Sequence, residues 1–379
     1  MAIDKKVVEI LPALRMILSE DTIKVARISE DTDASIAQLV VHAEGNSGEV
    51  IEDFKSKVER YKVAKGEFPQ LINLVGLGVL AVANTAYEID CLLTGTPVDA
   101  SKIEKGRASG KTAIITGGAQ GFGGGLVEFL MKDGGNVVIA DLNEAKGKEF
   151  AAELNEKAGG NKAFFAKVDV SNVDSVQELI YNTVCEFGGF DVFISNAGVL
   201  RAGGLDEMTP EDFEFMTRVN YTGYFNCAKY ASPVLKLQTA NKEGYFSDII
   251  QINSKSGLKG SNRNFAYAGG KFGGIGLTQS FAMELMPSRV KVNSVCPGNF
   301  FDGPLWSDPE KGLFVQYLNA GKVKGAKSIE DVKAFYEAQV PAGRGCTVID
   351  VMRAVYYIME QEYETGQAVP VTGGQEMLR

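Results

Sequence analysis

Two kinds of hydrophobic pattern alternate along this chain. From residue 111 onward, short apolar runs rich in β-branched residues are each followed by an amphipathic stretch with apolar positions at helical spacing. The strand-like runs cover 113–115, 136–140, 163–168, 192–194, 248–252, 290–295 and 368–371. Such regular alternation, with strands apolar on both faces, predicts an α/β fold built on a doubly wound parallel sheet. Ahead of it, helical spacing is predicted over 6–19, where Val7, Val8, Ile10, Leu11, Leu14 and Ile17 fall mostly on one side. Further helices are predicted over 33–42, 50–62 and 81–93, and strands over 22–28 and 71–74. The pattern divides the chain into a small α/β module of accessory or structural role (1–95), a linker (96–109) rich in punctuating residues, and a larger catalytic domain (110–379).

The first strand of the larger domain leads into Thr116, Gly117, Gly118, Ala119, Gln120, Gly121, Phe122 and Gly123, and then into a predicted helix. Strand, glycine-rich turn and helix form the context of a dinucleotide-binding loop in a Rossmann-type sheet. The glycines let the backbone approach a pyrophosphate, and the helix N-terminus offers unpaired N–H groups to it. An ordinary βα turn is the alternative for so glycine-rich a chain, with 43 glycines. Asp141 closes the second strand, 18 residues beyond Gly123. A carboxylate there can accept hydrogen bonds from the adenine-ribose hydroxyls and repels a 2′-phosphate, which favours NAD over NADP. Asp169, with Val170, ends the third strand and suits the adenine edge. Helix capping is the alternative for Asp141 and, more evenly, for Asp169.

Composition narrows the partners. The 379 residues are 45% hydrophobic and 23% charged, and a net charge of −9 from 39 basic and 48 acidic residues argues against a nucleic-acid partner. Five scattered cysteines, Cys91, Cys185, Cys227, Cys296 and Cys346, show neither disulfide nor metal spacing and fit a reduced, cytoplasmic setting. No signal-peptide pattern opens the sequence, and its most apolar stretch, 71–86, is too short to cross a membrane. The single histidine, His42, is predicted near a helix end; it leaves no set of ligands for a histidine-rich metal centre, and no metal is expected.

The main chemical signal is Tyr267 and Lys271, four apart and therefore on one helical face. A lysine there can lower the phenol pKa and hold a nicotinamide ribose, while the tyrosine exchanges a proton with an alcohol or carbonyl oxygen. Ser254, 13 residues before the tyrosine at a strand end, can bind the same oxygen.

From 111 to 375 the order of these motifs resembles the short-chain dehydrogenase/reductase family. The family's glycine motif is Thr116 to Gly123, and its N-N-A-G appears as Ser195, Asn196, Ala197 and Gly198, with serine replacing the first asparagine. The resemblance implies a catalytic tetrad of Asn220, Ser254, Tyr267 and Lys271, in which Asn220 bends its helix and holds a water in a proton relay to the lysine. It places Asn196, Ala197 and Gly198 at the cofactor and Pro297 and Gly298 beside the nicotinamide. Where the family often carries a threonine five residues after that proline, this chain has Asp302. Members are usually dimers or tetramers joined through the helices of Asn220 and Tyr267, so a homotetramer or homodimer is expected.

Runs over 249–257, 271–280, 340–346 and 371–377 are similar, more narrowly, to those family members that oxidise sorbitol 6-phosphate to fructose 6-phosphate with NAD. The alternatives are another polyol or sugar phosphate, or a sensor of NAD or sugar phosphate that needs no proton relay. A phosphorylated substrate calls for donors at the cleft, and Asn253, Lys255, Lys259, Arg263 and Arg201 are candidates, each equally readable as an ordinary polar or surface group. The segment 299–344 is expected to be a substrate lid, with Phe301, Leu305 and Trp306 sealing it from water. Residues 68–85 of the N-terminal module resemble the class II aldolase half of bifunctional aldolase/short-chain dehydrogenase proteins. Those aldolases bind zinc through histidines that this chain lacks, so a packing, assembly or regulatory role is expected of the module.

Overall fold

The computed structural model describes residues 5–103, 105–319 and 321–377. Its N-terminal layer runs α1 (Lys5–Ile17), β1 (Val25–Ser29), β2 (Leu39–His42), α2 (Ser47–Lys65), β3 (Leu71–Val75), β4 (Gly78–Ala83) and α3 (Ala86–Thr94). The four strands form one sheet in the order β1-β4-β3-β2, with β1/β4 and β3/β4 antiparallel and β2/β3 parallel. Two sequence expectations change here. The helix predicted over 33–42 is a single 3₁₀ turn, Ala34–Ile36, capped by Asp33, followed by β2, so His42 ends a strand. Pairing of β2 with β3 overrides the short helical spacing, and Val40 and Val41 suit it. The helix predicted over 81–93 begins only at Ala86, because Ala81–Ala83 are paired with β1 on one side and Ala81 with β3 on the other. Thr85 and Glu88 form a capping box that fixes the start of α3.

The larger layer continues with β5 (Thr112–Thr116), α4 (Gly121–Lys132), β6 (Asn136–Asp141), α5 (Glu144–Lys157), β7 (Ala163–Lys167), α6 (Val173–Phe187), β8 (Val192–Ser195), α7 (Pro210–Thr217), α8 (Gly223–Ala240), β9 (Ser247–Ile252), α9 (Phe265–Leu285) and β10 (Val290–Pro297). After β10 come α10 (Pro304–Ser307), α11 (Leu313–Asn319), α12 (Ile329–Ala338), α13 (Val348–Glu360) and β11 (Ala368–Val371). Strands β5–β11 make the Rossmann-type sheet, all parallel, in the order β11-β10-β9-β8-β5-β6-β7. Strand order reverses around β5, so the crevice at the carboxyl ends of β5 and β8 is the topological switch point where such sheets take ligands.

The two layers share a core. One apolar cluster runs from Val7, Leu11 and Leu14 of α1 to Phe187 of α6, Phe190, and Leu235 of α8. At its floor Arg15 is fully buried and its Nη2 donates to Asp191 Oδ2 at 2.8 Å. The described residues of the expected linker, 96–103 and 105–109, pack on both sides: the Asp99 N–H donates to Tyr87 Oη, and the buried Ala108 N–H donates to the Asp133 carbonyl. The segment 299–344 carries three short helices, α10–α12, around its own aromatic core of Phe301, Trp306, Phe314, Tyr317 and Tyr336. No described helix is long and apolar enough to cross a membrane.

Candidate active site

The glycine turn is shaped by crowding. A Cβ at Gly123 would lie 2.1 Å from the Gly117 carbonyl oxygen, and one at Gly117, whose φ is +63°, would lie 3.0 Å from the Ala197 Cα. Only glycine lets β5 turn into α4 at this proximity to the loop after β8. That loop is tied to the turn by side chains. Thr116 Oγ1 accepts from the N–H groups of Asn196 (3.0 Å) and Ala197 (3.1 Å), and Asn196 Nδ2 donates to the carbonyls of Thr116 and Gly117. Gln120 precedes α4 without forming a side-chain cap; its amide instead accepts from Lys146 Nζ at 3.0 Å. The first N–H groups of α4 are therefore uncapped by a side chain and face the crevice.

Asp141 ends β6 half-buried, one carboxylate oxygen accepting from Ala119 N–H at 3.0 Å and the other from Asn143 N–H at 2.9 Å. Asp169 binds Ser171 through both its N–H and its hydroxyl, a local turn, and Val170 is buried against Gly223. Phe122 stacks on Phe300 with centroids 4.5 Å apart, which holds the beginning of the 299–344 segment against the glycine turn. Phe300 carried no sequence signal beyond its nearness to Pro297 and Gly298.

The tyrosine, lysine, serine and asparagine converge at the ends of β8 and β9. Ser254 stands beside the Tyr267 phenol, and Lys271 Nζ lies 5.6 Å from the Tyr267 ring centroid. Lys271 is buried and donates to the Ile252 carbonyl at 2.9 Å. Burial brings its ammonium down to about 8. The phenol departs from the sequence expectation: burial pushes the Tyr267 pKa up, and the opposing pull comes from the Ser254 hydrogen bond rather than from the lysine. Asn220 sits in a π-helical turn, Arg218–Thr222, between α7 and α8. Its amide accepts from the Val199 N–H and donates to the Val199 carbonyl, both at 2.8 Å. A Cβ at Gly198 would meet Asn220 Oδ1 at 3.2 Å and Lys271 Nζ at 3.9 Å, so the loop after β8 brings these two groups together.

The substrate candidates separate clearly. Asn253 is buried and its amide is used internally, accepting from Ser254 N–H (2.8 Å) and donating to Gln251 Oε1 (2.7 Å) and the Lys271 carbonyl (2.9 Å). It positions Ser254 and the helix of Lys271 and has no donor left for a ligand. Arg201 is paired with Asp212 and Arg263 with Glu207, all partly exposed. Trp306 is 7% exposed inside the aromatic core, whereas Leu305 is exposed. Asp302 pairs with Lys333 of α12 at 3.1 Å, so its carboxylate braces the 299–344 segment. Lys255 and Lys259 lie on the 3₁₀ turn and the residues after Ser254, Lys255 half-buried, and Lys259 reaches Glu376 Oε2 at 3.5 Å. Pro297 ends β10 and Gly298 follows it beside the turn after β11, where a Cβ at Gly298 would lie 3.3 Å from the Thr372 Cα. Sequence reasoning gave no role to Gln375 and Glu376 of that turn; their place just past a strand's carboxyl end was the available signal.

A parallel sheet with a glycine turn at its switch point and a tyrosine–lysine–serine group beside it defines an oxidoreductase of the short-chain type. The short chain dehydrogenase family matches residues 111–306, and the chain belongs to that family. Sorbitol-6-phosphate 2-dehydrogenase of Escherichia coli is 34% identical over 270 residues, 71% of this chain and 99% of that protein. The crystal structure of sorbitol-6-phosphate 2-dehydrogenase from Erwinia amylovora superposes with a TM-score of 0.64 at 35% identity, covering 70% of this chain and all (100%) of that one. A 3-oxoacyl-(acyl-carrier-protein) reductase of Chlamydia muridarum is 32% identical over 267 residues, 70% of this chain and 96% of that protein. The family match begins at 111, so the N-terminal layer lies outside it.

Proposed function

We propose that this protein is an NAD-dependent dehydrogenase that interconverts sorbitol 6-phosphate and fructose 6-phosphate by hydride transfer at C2. The observation that carries the reading is the convergence of Ser254, Tyr267 and Lys271 beside the glycine turn, in a chain that matches relatives of that name along nearly their whole length.

The residues fit a nicotinamide dinucleotide. The crowded glycine turn leaves its backbone bare, and α4 starts without a side-chain cap, which suits a pyrophosphate along Thr116, Gly117, Gln120, Gly121, Phe122 and Gly123. Asp141 would hold the adenine ribose and disfavour a 2′-phosphate, with Asp169 and Val170 at the adenine. Asn196, Ala197, Gly198, Pro297 and Gly298 would line the nicotinamide end, where Tyr267 and Lys271 also reach the ribose. When bound, NAD supplies the acceptor for the hydride leaving C2. Tyr267, as the phenolate, takes the proton of the C2 hydroxyl, and Ser254 holds that same oxygen. Lys271, kept near neutrality by burial, passes the proton on towards Asn220 and its widened turn. Reduction of fructose 6-phosphate runs the same proton path in reverse.

The N-terminal layer takes an accessory role in packing or assembly, and the chain has one activity. Self-association as a homotetramer or homodimer through α8 and α9, which expose Phe225 and Phe272, and a cytoplasmic setting complete the reading. The test is NADH formation with sorbitol 6-phosphate beside sorbitol, mannitol 1-phosphate and galactitol 6-phosphate, with NADP as control. Turnover confined to sorbitol 6-phosphate and NAD is expected. Preference for an unphosphorylated polyol would overturn the substrate, and preference for NADP would overturn the role of Asp141.

A further inference from the structure

The cations near the crevice are not equivalent. Arg201 and Arg263 are each neutralised by a carboxylate, and Arg344, on the far wall, donates to both oxygens of Asp350 (2.6 and 3.0 Å). Lys255 differs. It directly follows Ser254, is half-buried, and among the described residues its ammonium has neither a hydrogen bond nor an ion pair within contact distance. A half-buried ammonium without a partner is unfavourable unless a ligand supplies one. The carboxylate that acts on it is Glu376, which also pairs with Lys259. The Lys259–Glu376 separation of 3.5 Å is longer than a close ammonium–carboxylate hydrogen bond. Glu376 is itself only 21% exposed at its side chain. Its backbone is fixed, because Thr372 Oγ1 donates to the Glu376 carbonyl (3.0 Å) and accepts from its N–H (3.3 Å). Only the Glu376 side chain is left to turn.

This turn borders a cavity of about 440 Å³ that runs past Gly298, Asn299, Gln375 and Glu376, a size suited to a small ligand. Gln375 Oε1 is buried there, 3.5 Å from the position of a Gly298 Cβ, and has no hydrogen-bond partner among the described residues. A buried unpartnered amide oxygen beside the residue that flanks the nicotinamide end is a ready acceptor for a ligand hydroxyl. The cavity wall thus offers a hydroxyl-reading group in Gln375 and, in Glu376, the carboxylate that pairs with Lys259.

We propose that Lys255 and Lys259 bind the phosphate of the substrate, that Glu376 is the internal carboxylate this phosphate displaces, and that Gln375 reads a hydroxyl of the polyol chain. The inference rests on the sugar-phosphate reading above. Charge decides the exchange. Two ammonium groups against one carboxylate leave one positive charge in the unliganded site, whereas a phosphate monoester carries about −1.5 to −2 at neutral pH and balances both lysines once Glu376 turns away. If Glu376 stays in place it repels the phosphate, so in either position its charge weakens binding. The phosphate lies at the opposite end of the hexitol from the reacting C2, and Lys255 stands next to the serine that holds the C2 oxygen; the substrate would curve along the cavity between them.

The experiment compares wild type, K255M and E376Q in steady-state oxidation of sorbitol 6-phosphate and of sorbitol, with inorganic phosphate as a competing probe. Loss of a charge-assisted contact predicts an increase in KM for sorbitol 6-phosphate of about ten- to a hundredfold in K255M, with kcat within about threefold. No turnover of sorbitol is expected in the wild type or in either variant, and inhibition by inorganic phosphate is expected to be lost in K255M. E376Q is expected to lower the KM for sorbitol 6-phosphate several-fold, a gain that structural damage does not mimic. Unchanged KM in both variants of an enzyme that oxidises sorbitol 6-phosphate would overturn the phosphate site and leave the activity standing. A wild-type enzyme inert towards sorbitol 6-phosphate, under conditions where it oxidises another polyol, would overturn the activity and this site with it.

Discussion

Arg15 gives the sharpest test of how the N-terminal layer is joined to the sheet. Its side chain is fully buried, and each guanidinium nitrogen has an acceptor: Nε the Lys24 carbonyl (2.5 Å), Nη1 Gln238 Oε1 (3.4 Å) and Nη2 Asp191 Oδ2 (2.8 Å). Asp191 in turn accepts from the Thr112 N–H at 2.7 Å and from the Tyr245 hydroxyl, which ties α1 to the beginnings of β5, β8 and β9. Burial alone would raise the Asp191 pKa; Arg15 and Lys111 hold it below the usual carboxylate value. R15M leaves that carboxylate buried without its main counter-charge, a loss of about 3–5 kcal/mol. With an unfolding entropy near 0.8 kcal/mol/K for a chain of 379 residues, this lowers Tm by about 4–6 °C. The pH dependence follows from the sign of the shift. A depressed folded pKa stabilises the wild type above the unfolded pKa of the carboxyl, and this is lost as pH falls through the folded value. In R15M the Asp191 pKa rises, the carboxyl protonates in the folded state, and the gap to wild type narrows as pH is lowered from 7.5 towards 5. Calorimetry or thermal melts at both pH values, with R15M/D191N recovering most of the loss, would check this. A loss below about 1 kcal/mol, or a gap independent of pH, would refute the argument that Arg15 is a dry, paired charge.

Three further outcomes follow from the site. Y267F is expected to lower kcat by about 10²- to 10⁴-fold while NADH binding, read by fluorescence titration, stays within a few-fold of wild type. In the wild type, oxidation should rise and reduction fall with pH through an apparent pKa belonging to the Tyr267–Lys271 pair, with Lys271 brought down to about 8 by burial; a flat profile in both directions would contradict it. D141S removes the charge opposed to a 2′-phosphate and is expected to shrink the ratio of kcat/KM for NAD over NADP by about tenfold or more.

The Rossmann-type half was legible because its strands are apolar on both faces and its polar groups stand at strand ends, where the pattern breaks. Thr116, Asn196 and Ser254 were each found at such breaks and Tyr267 by its helical spacing to Lys271, and the structure gathers them around one crevice. The N-terminal layer was legible only in part. Spacing over 33–42 suited a helix, but the decision lay with strand β3, whose paired residues lie 33 positions further on, where local periodicity does not see them. The Thr85–Glu88 capping box was visible in the residues and marks the true start of α3. Substrate candidates were the least legible, because a lysine or arginine in sequence does not disclose its counter-ion. Arg201 and Arg263 turned out paired, Asn253 turned inward, and Lys255 was left open. The Tyr267 pKa departs from expectation for a related reason: helical spacing put Lys271 on its face, but burial pushes the phenol up and the opposing pull comes from Ser254.

The central claim is hydride transfer to and from C2 of a hexitol phosphate. Its most direct test is reduction of fructose 6-phosphate with NADH carrying deuterium at both C4 positions of the nicotinamide, followed by NMR of the product. The account predicts sorbitol 6-phosphate with deuterium at C2 alone. A product without deuterium, deuterium at another carbon, or no reduction of fructose 6-phosphate at all would contradict it.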